Sequence, residues 1–206
     1  MIVIVDYKVG NITSVQNMLK KVGCRDAIIS SEPEVIAKAT KLILPGVGHF
    51  DYGMRQLKAS GLIDILNTQV IEKGIPILGI CLGAQLLTRG SEEGQIEGLG
   101  WIPADTVKFD ATKLQTGLKI PHMGWSDVEI KFDIPLLKDL PNDPRFYFVH
   151  TYHMQCDYKE NEVVTANYGY TFAAGISKGN IMGMQFHPEK SHKFGMQLFK
   201  NFLEQY

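Results

Sequence analysis

Ile75-Pro76-Ile77-Leu78-Gly79-Ile80-Cys81-Leu82-Gly83-Ala84-Gln85-Leu86-Leu87 is the stretch that decides the fold of this chain. Residues 75–80 are an apolar run entered from a Lys73-Gly74 turn, which predicts a short buried strand. After Cys81 the pattern becomes helical through Leu82, Gln85, Leu86 and Leu87, with Gly90 as the expected stop. A cysteine at so sharp a strand-to-helix turn is expected to hold a strained backbone. Gly79 and Gly83, two residues to either side, let the flanking chain pass without a side-chain clash. The serine form of this turn is the nucleophile elbow of hydrolases, and here the nucleophile is sulfur. The unpaired N–H groups at the start of the helix favour thiolate over a thiol that titrates near ~8.5 when free. They also suit an oxyanion, with the Leu82 N–H as first donor. The competing reading is a buried packing cysteine, and the elbow spacing weighs against it.

A base for that thiol comes late in the chain. Gly183-Met184-Gln185-Phe186 predicts the end of a strand, and His187-Pro188-Glu189 follows it. Proline ends the pairing and turns the chain, which leaves His187 and Glu189 near one another. An imidazole there can take the thiol proton and return it to a leaving amine. A carboxylate on its far nitrogen fixes the tautomer. His-Pro-Glu alone is weak, but joined to a cysteine elbow it points to nucleophilic catalysis.

Working outward, the first half alternates strands (1–5, 27–30, 42–44, 75–80) with helices (11–23, 54–59, 62–72). That alternation predicts βαβ units and a mostly parallel central sheet flanked by helices. The second half is richer in strands, at 107–109, 128–130, 146–149, 163–166, 172–177 and 181–186. Lys178-Gly179-Asn180 supplies a hairpin turn, and a helix closes the chain at 193–203. The fold class is therefore α/β with an added antiparallel portion in the C-terminal half. Sites in such sheets lie beyond the carboxyl ends of strands. Pro45-Gly46-Val47-Gly48, Cys81 and His187 all fall at such ends.

At 206 residues, with 45% hydrophobic and 21% charged residues, the chain is expected to be a single globular domain, 1–206. A net charge of −1 makes no electrostatic case for nucleic acid or an anionic membrane. No apolar run approaches the ~20 residues of a membrane span, and Met1-Ile2-Val3-Ile4-Val5-Asp6 predicts a strand, not a signal peptide. Cys24, Cys81 and Cys156 have neither metal spacing nor an even count, which fits a reducing cytoplasm. His49, His122, His150, His153 and His192 show no metal-binding pattern and are read as structural.

Five motifs in order resemble the class I (triad) glutamine amidotransferases, and among them the glutaminase subunits of imidazole glycerol phosphate synthases. They are 44–50, 79–87, Ile120-Pro121-His122-Met123-Gly124-Trp125, 146–152 and 185–191, the most specific pieces of a resemblance that covers nearly the whole chain. The resemblance implies a flavodoxin-like three-layer fold and hydrolysis of L-glutamine to glutamate and ammonia, without cofactor or metal. It implies that the ammonia passes to a (β/α)₈-barrel cyclase in a 1:1 heterodimer, which makes imidazole glycerol phosphate and AICAR in histidine biosynthesis. By position it makes Cys81 the nucleophile, His187 the base and then acid, and Glu189 the group that orients it. It sets glutamine against Gly48, Gln85, Thr151 and Tyr152. It gives Gly46-Val47-Gly48 the second oxyanion donor, the Val47 N–H after a peptide rearrangement. Asn11, Trp125, Tyr147 and Lys190 fall on the synthase-facing surface.

Two positions depart from the family pattern: Ser126 stands where asparagine is usual, and Ala84 where methionine is common. Ser191-His192-Lys193-Phe194-Gly195 also resembles a paralogous group that feeds ammonia to sugar-modifying synthetases of surface polysaccharide or flagellin glycan pathways. A cysteine peptidase or deglycase on a similar fold would share the elbow but not the early Pro-Gly-Val-Gly with a late His-Pro-Glu.

Overall fold

Eleven strands of one mixed sheet carry the chain, in a computed structural model that describes residues 1–206. In order, the elements are β1 (Ile2–Val5), α1 (Ile12–Lys21), β2 (Ile28–Ser30), α2 (Pro33–Ile36), β3 (Lys41–Gly46), α3 (Phe50–Ala59), α4 (Ile63–Asn67), β4 (Ile77–Cys81) and α5 (Leu82–Leu86). The second half adds β5 (Ala104–Lys108), β6 (His122–Ile130), β7 (Arg145–His150), β8 (Tyr152–Cys156), β9 (Glu162–Tyr168), β10 (Tyr170–Lys178), β11 (Ile181–Met184) and α6 (His192–Gln205).

Five strands in the order β2-β1-β3-β4-β11 are parallel, the doubly wound order of flavodoxin-like sheets. From β11 onward β10, β9, β6 and β7 continue the sheet antiparallel, and β8 pairs with both β10 and β5. The antiparallel portion is as extensive as the parallel one. Side chains alternate along β1: Ile2 and Ile4 enter one core, Val3 and Val5 the other. The first core is covered by α1 and α6 through Leu19, Leu198 and Phe202. The second is covered by α3, α4 and α5 through Leu57, Leu66 and Leu86. The hairpin between β10 and β11 turns through Gly179-Asn180, with Gly179 at φ 60°.

Several local expectations are corrected. The helix after Cys81 stops at Leu86, four residues short of Gly90. The Thr88 hydroxyl donates back to the Gln85 carbonyl, and the Arg89 N–H pairs with the Ala104 carbonyl. The segment 68–72 widens from α to π geometry. β6 begins six residues earlier than the pattern predicts, and α2 and β8 carry no clear sequence signal. Pro45-Gly46 belongs to β3 and is not a free loop. A proline fits there because β1 has ended: the Tyr7 hydroxyl, at 2.8 Å, donates to the Pro45 carbonyl where a neighbouring strand would otherwise pair.

The elbow itself depends on missing side chains. A Cβ on Gly83 would lie 1.8 Å from the Leu44 carbonyl oxygen, and one on Gly79 would meet the Ala84 backbone at 2.8 Å. α5 therefore lies backbone against backbone on β3 and β4. Gly83→Ala is expected to cost at least the ~1–3 kcal/mol of an overpacked core. Gly90→Ala, where an added Cβ meets nothing within 4 Å, should leave the urea midpoint nearly unchanged.

Candidate active site

β3, β4 and β11 end side by side, and the chain leaving each one supplies a part of the site. At the end of β4, in register with Gly46, Cys81 holds φ 53° and ψ −111°. A non-glycine residue in the left-handed region stores about 1–3 kcal/mol of strain, which the surrounding backbone contacts must hold in place. At the end of β11, fully buried Gln185 reaches the elbow. Its Nε2 lies 3.9 Å from Cys81 Sγ, and its Oε1 accepts from Gln85 Nε2 at 3.1 Å.

His187 follows two residues later. Its Nδ1–H donates to Glu189 Oε1 at 2.7 Å, with both side chains only 1% exposed. Pro188 opens a single 3₁₀ turn, which folds Glu189 back onto the ring. The loop is stitched to the edge of β7 at one residue. The His187 N–H donates to the Tyr147 carbonyl at 2.9 Å, and the Tyr147 N–H donates to Ser191 Oγ at 3.0 Å. Ser191 Oγ in turn donates to the His187 carbonyl at 2.6 Å. Burial alone would lower the His187 pKa, but its neighbours Cys81 and Glu189, the second through a direct hydrogen bond, outweigh that and raise it to about 10. His187 Nε2 is buried without a hydrogen-bond partner, so its far nitrogen is free for proton transfer.

Cys81 and His187 open onto one cavity of about 200 Å³. Cys81, Leu82 and Gln85 form one wall, Val47 and Gly48 a second, and Val149, His150 and Tyr152 a third. Glu93 reaches in from the segment after α5, with its Oε2 held by the Phe50 N–H at 2.8 Å. The volume is below that of drug-sized sites and suits a single amino acid. A larger cleft of about 440 Å³ between β5, β8 and β10 is lined by no cysteine or serine. No three His, Cys, Asp or Glu side chains converge as metal ligands. The glutamine amidotransferase class-I model matches residues 3–206.

The chain belongs to the class-I glutamine amidotransferase family.

Over full length this amidotransferase is 55% identical to imidazole glycerol phosphate synthase subunit HisH 2 of Methanococcus maripaludis, with 100% of each chain covered. It is 52% identical to the subunit HisH 2 of Pseudomonas aeruginosa (99% of each), and 43% to the subunit HisH of Bdellovibrio bacteriovorus (99% and 100%). The fold matches the solved structure of PurLQS from Thermotoga maritima with a TM-score of 0.70. That match is at 18% identity and covers 99% of this chain and 97% of that one.

Of the residues the sequence sets against substrate, Val47, Gly48, Leu82, Gln85 and Tyr152 line the cavity of the amidotransferase. Gly46 and Thr151 do not. A Cβ on Gly46 would meet the Tyr7 hydroxyl at 2.6 Å and the Gly83 nitrogen at 2.7 Å, so Gly46 packs behind the elbow. The Thr151 carbonyl accepts from the Phe109 N–H instead. Sequence reasoning missed Gln185, Glu93, Tyr7 and His150. Glu93 lies in a Ser91-Glu92-Glu93 run that reads as a solvated turn, and Gln185 reads as one more strand residue.

Trp125, Tyr147 and Lys190 do converge. Trp125 pairs with Tyr147 across β6 and β7, is 39% exposed, and stacks on His192 at 5.5 Å. Lys190 Nζ lies 5.7 Å from the centre of the Tyr147 ring. Asn11 stands at the start of α1, which packs against the turn Pro188–Lys190. His49 caps α3 by accepting from the Asp51 N–H, and all three cysteines are free thiols.

Protonation of His187 links to stability. Its pKa rises from 6.5 to about 10 on folding, so the native state binds this proton more tightly than the unfolded state. The resulting stabilisation is complete below pH 6.5 and is lost as pH rises through about 10. Urea unfolding at pH 6 and pH 10 should show a smaller loss across that interval for Cys81→Ala than for the unmodified chain.

Proposed function

We propose that this chain is the glutaminase subunit of an imidazole glycerol phosphate synthase, hydrolysing L-glutamine and delivering ammonia to a cyclase in histidine biosynthesis. The observation that carries the chemistry is Cys81, at a positive-φ elbow, opening with His187 onto one small cavity. The full-length identity to synthase HisH subunits supports the pathway.

In this reading Cys81 sulfur attacks the side-chain amide carbon of glutamine as thiolate, with His187 carrying the proton. The negative oxygen of the tetrahedral intermediate is met by the Leu82 N–H and, after its peptide turns, by the Val47 N–H. A donor of this kind is worth about 3 kcal/mol of barrier. Gly48, at φ 101° with open space around its Cα, leaves the loop tip free to turn, while Gly46 is wedged at the root. The C–N bond breaks as His187 Nε2–H protonates the leaving nitrogen, and ammonia departs from a γ-glutamyl thioester. Water then gives a proton to His187, attacks the thioester and releases glutamate. Glu189 keeps the ring in one tautomer throughout.

The Glu93 carboxylate is the natural partner for the α-ammonium of the substrate. Glu93→Gln is expected to raise KM for glutamine roughly 10- to 100-fold, the range for a lost charge-assisted hydrogen bond, with a smaller change in kcat.

We assign the partner-facing surface to Trp125, Tyr147 and Lys190, and to Asn11 at the start of the helix that packs against the Pro188–Lys190 turn. Exposed aromatics next to a cation are common anchors at interfaces. The partner we infer is a (β/α)₈-barrel cyclase bound one to one. The chain acts as one unit in this reading, since β11 from its C-terminal end completes the N-terminal parallel strands. No helix is long and apolar enough to cross a membrane, and three free thiols suit a reducing cytoplasm.

The alternative acceptor is a sugar-modifying synthetase, and it rests only on the resemblance of Ser191-His192-Lys193-Phe194-Gly195 to that paralogous group. A nitrogen-transfer assay with amide-labelled glutamine and the cyclase of the same source separates the two. Labelled imidazole glycerol phosphate, lost with Cys81→Ala, is the expected result. Glutamine hydrolysis without that product would move the acceptor to a sugar. Trp125→Ala should keep hydrolysis while weakening the complex by at least about tenfold, as loss of an interface anchor does.

A further inference from the structure

Three buried or half-buried polar side chains outside the triad form a continuous hydrogen-bond chain to the cavity wall. His150 Nδ1 lies 2.7 Å from the Tyr152 carbonyl, an acceptor only, so Nδ1 carries the proton. His150 Nε2 must then accept, and its partner at 3.0 Å is His122 Nδ1, which therefore donates. His122 Nε2 is left as an acceptor for the Ser126 hydroxyl at 2.8 Å. Each proton is assigned by its neighbour, and both rings are neutral. Burial is the first cause in each case: it lowers His122 to about 4 and puts His150 well below its usual value.

The geometry is clamped. His122 lies between the rings of Phe148, at 4.9 Å, and Tyr168, at 4.0 Å, both nearly parallel to it. Phe109 closes on both imidazoles edge-on or tilted. The register of β6 against β7 places His122 directly opposite His150. Beyond the histidines the chain continues: the Tyr152 carbonyl also accepts from Gln85 Nε2 at 3.2 Å, and Gln85 joins Gln185, which reaches Cys81. His150, Tyr152 and Gln85 all line the cavity.

We propose that Ser126, His122 and His150 are positioning residues, a tautomer-locked relay that fixes the Tyr152 carbonyl and, through it, Gln85 on the substrate wall. The relay rests on reading this cavity as the glutamine site. Ser126 sits one residue from Trp125, so the relay begins on the strand that carries the exposed aromatic patch. Without the Ser126 proton, His122 Nε2 is a buried acceptor with no donor. If His122 changes tautomer to hydrate or shield that nitrogen, His150 must reverse as well, and its Nδ1 lone pair would then face the Tyr152 carbonyl.

The test is Ser126→Ala, at a half-exposed site that tolerates the change, with Ser126→Asn as the conservative variant whose amide can donate to the same nitrogen. KM for glutamine should rise about 3- to 10-fold in Ser126→Ala, the effect of one net hydrogen bond, and return towards normal in Ser126→Asn. Nitrogen-15 spectra should show His150 protonated on Nδ1 in the unmodified chain, and the Gln85 side-chain amide resonance should move in Ser126→Ala. A His150 proton on Nε2 overturns the relay. So does an unmoved Gln85 amide with unchanged KM, or a defect in Ser126→Ala that Ser126→Asn does not repair. If the unmodified chain hydrolyses no glutamine even in complex with its cyclase, but the Gln85 resonance moves as expected, the glutaminase reading fails and the relay stands.

Discussion

Backbone packed directly on backbone is the constraint on which the rest depends. α5 can press onto β3 and β4 only because Gly79 and Gly83 carry no side chain, and Gly46 fits into the same contact from β3. That close seat holds Cys81 at φ 53° despite the cost of a left-handed conformation. It also brings the ends of three parallel strands within one side-chain length of a common cavity. With five residues, α5 contributes a single turn of N–H groups and little dipole, so the short helix matters mainly for where its first amide lies.

Around that seat the polar groups are organised by pairs. Glu189 holds His187 by one nitrogen and leaves the other free, Gln185 bridges the elbow to Gln85, and Tyr7 takes the one carbonyl that the departing β1 leaves behind. All of these are buried, where an unpaired polar group is expensive, so each bond fixes its partner's position as well as its own. Two atoms of the triad are exceptions: His187 Nε2 and Glu189 Oε2 are both buried with no partner.

The elbow and the His-Pro-Glu turn were legible because their chemistry is local. A nucleophile between spaced glycines and a proline that folds a carboxylate back onto a histidine both read within five residues. The parallel order was legible because helices separate apolar runs of strand length. β8 was not, since Tyr152-His153-Met154-Gln155-Cys156 has no alternation of its own and becomes a strand only through β5 and β10 on either side. The length of α5 was hidden for a similar reason, as Leu86-Leu87 extends an apolar pattern that the pairing of Arg89 with Ala104 cuts short. Glu93 and Gln185 carry no sequence signal because a cavity wall is a long-range property. Gly46 shows the converse: a motif position read as contacting substrate turns out to support the loop from behind.

The stitch at Tyr147 separates two duties within one residue. Its main-chain N–H and carbonyl hold the His187 loop, while its ring faces outward with Trp125 and Lys190. Sequence drift in the outward side chains can therefore proceed without disturbing the backbone bonds that aim the histidine. A glutaminase built this way is evolvable at its surface. Duplication followed by a few substitutions on that patch can readdress one source of ammonia to a different acceptor, with the chemistry inherited unchanged.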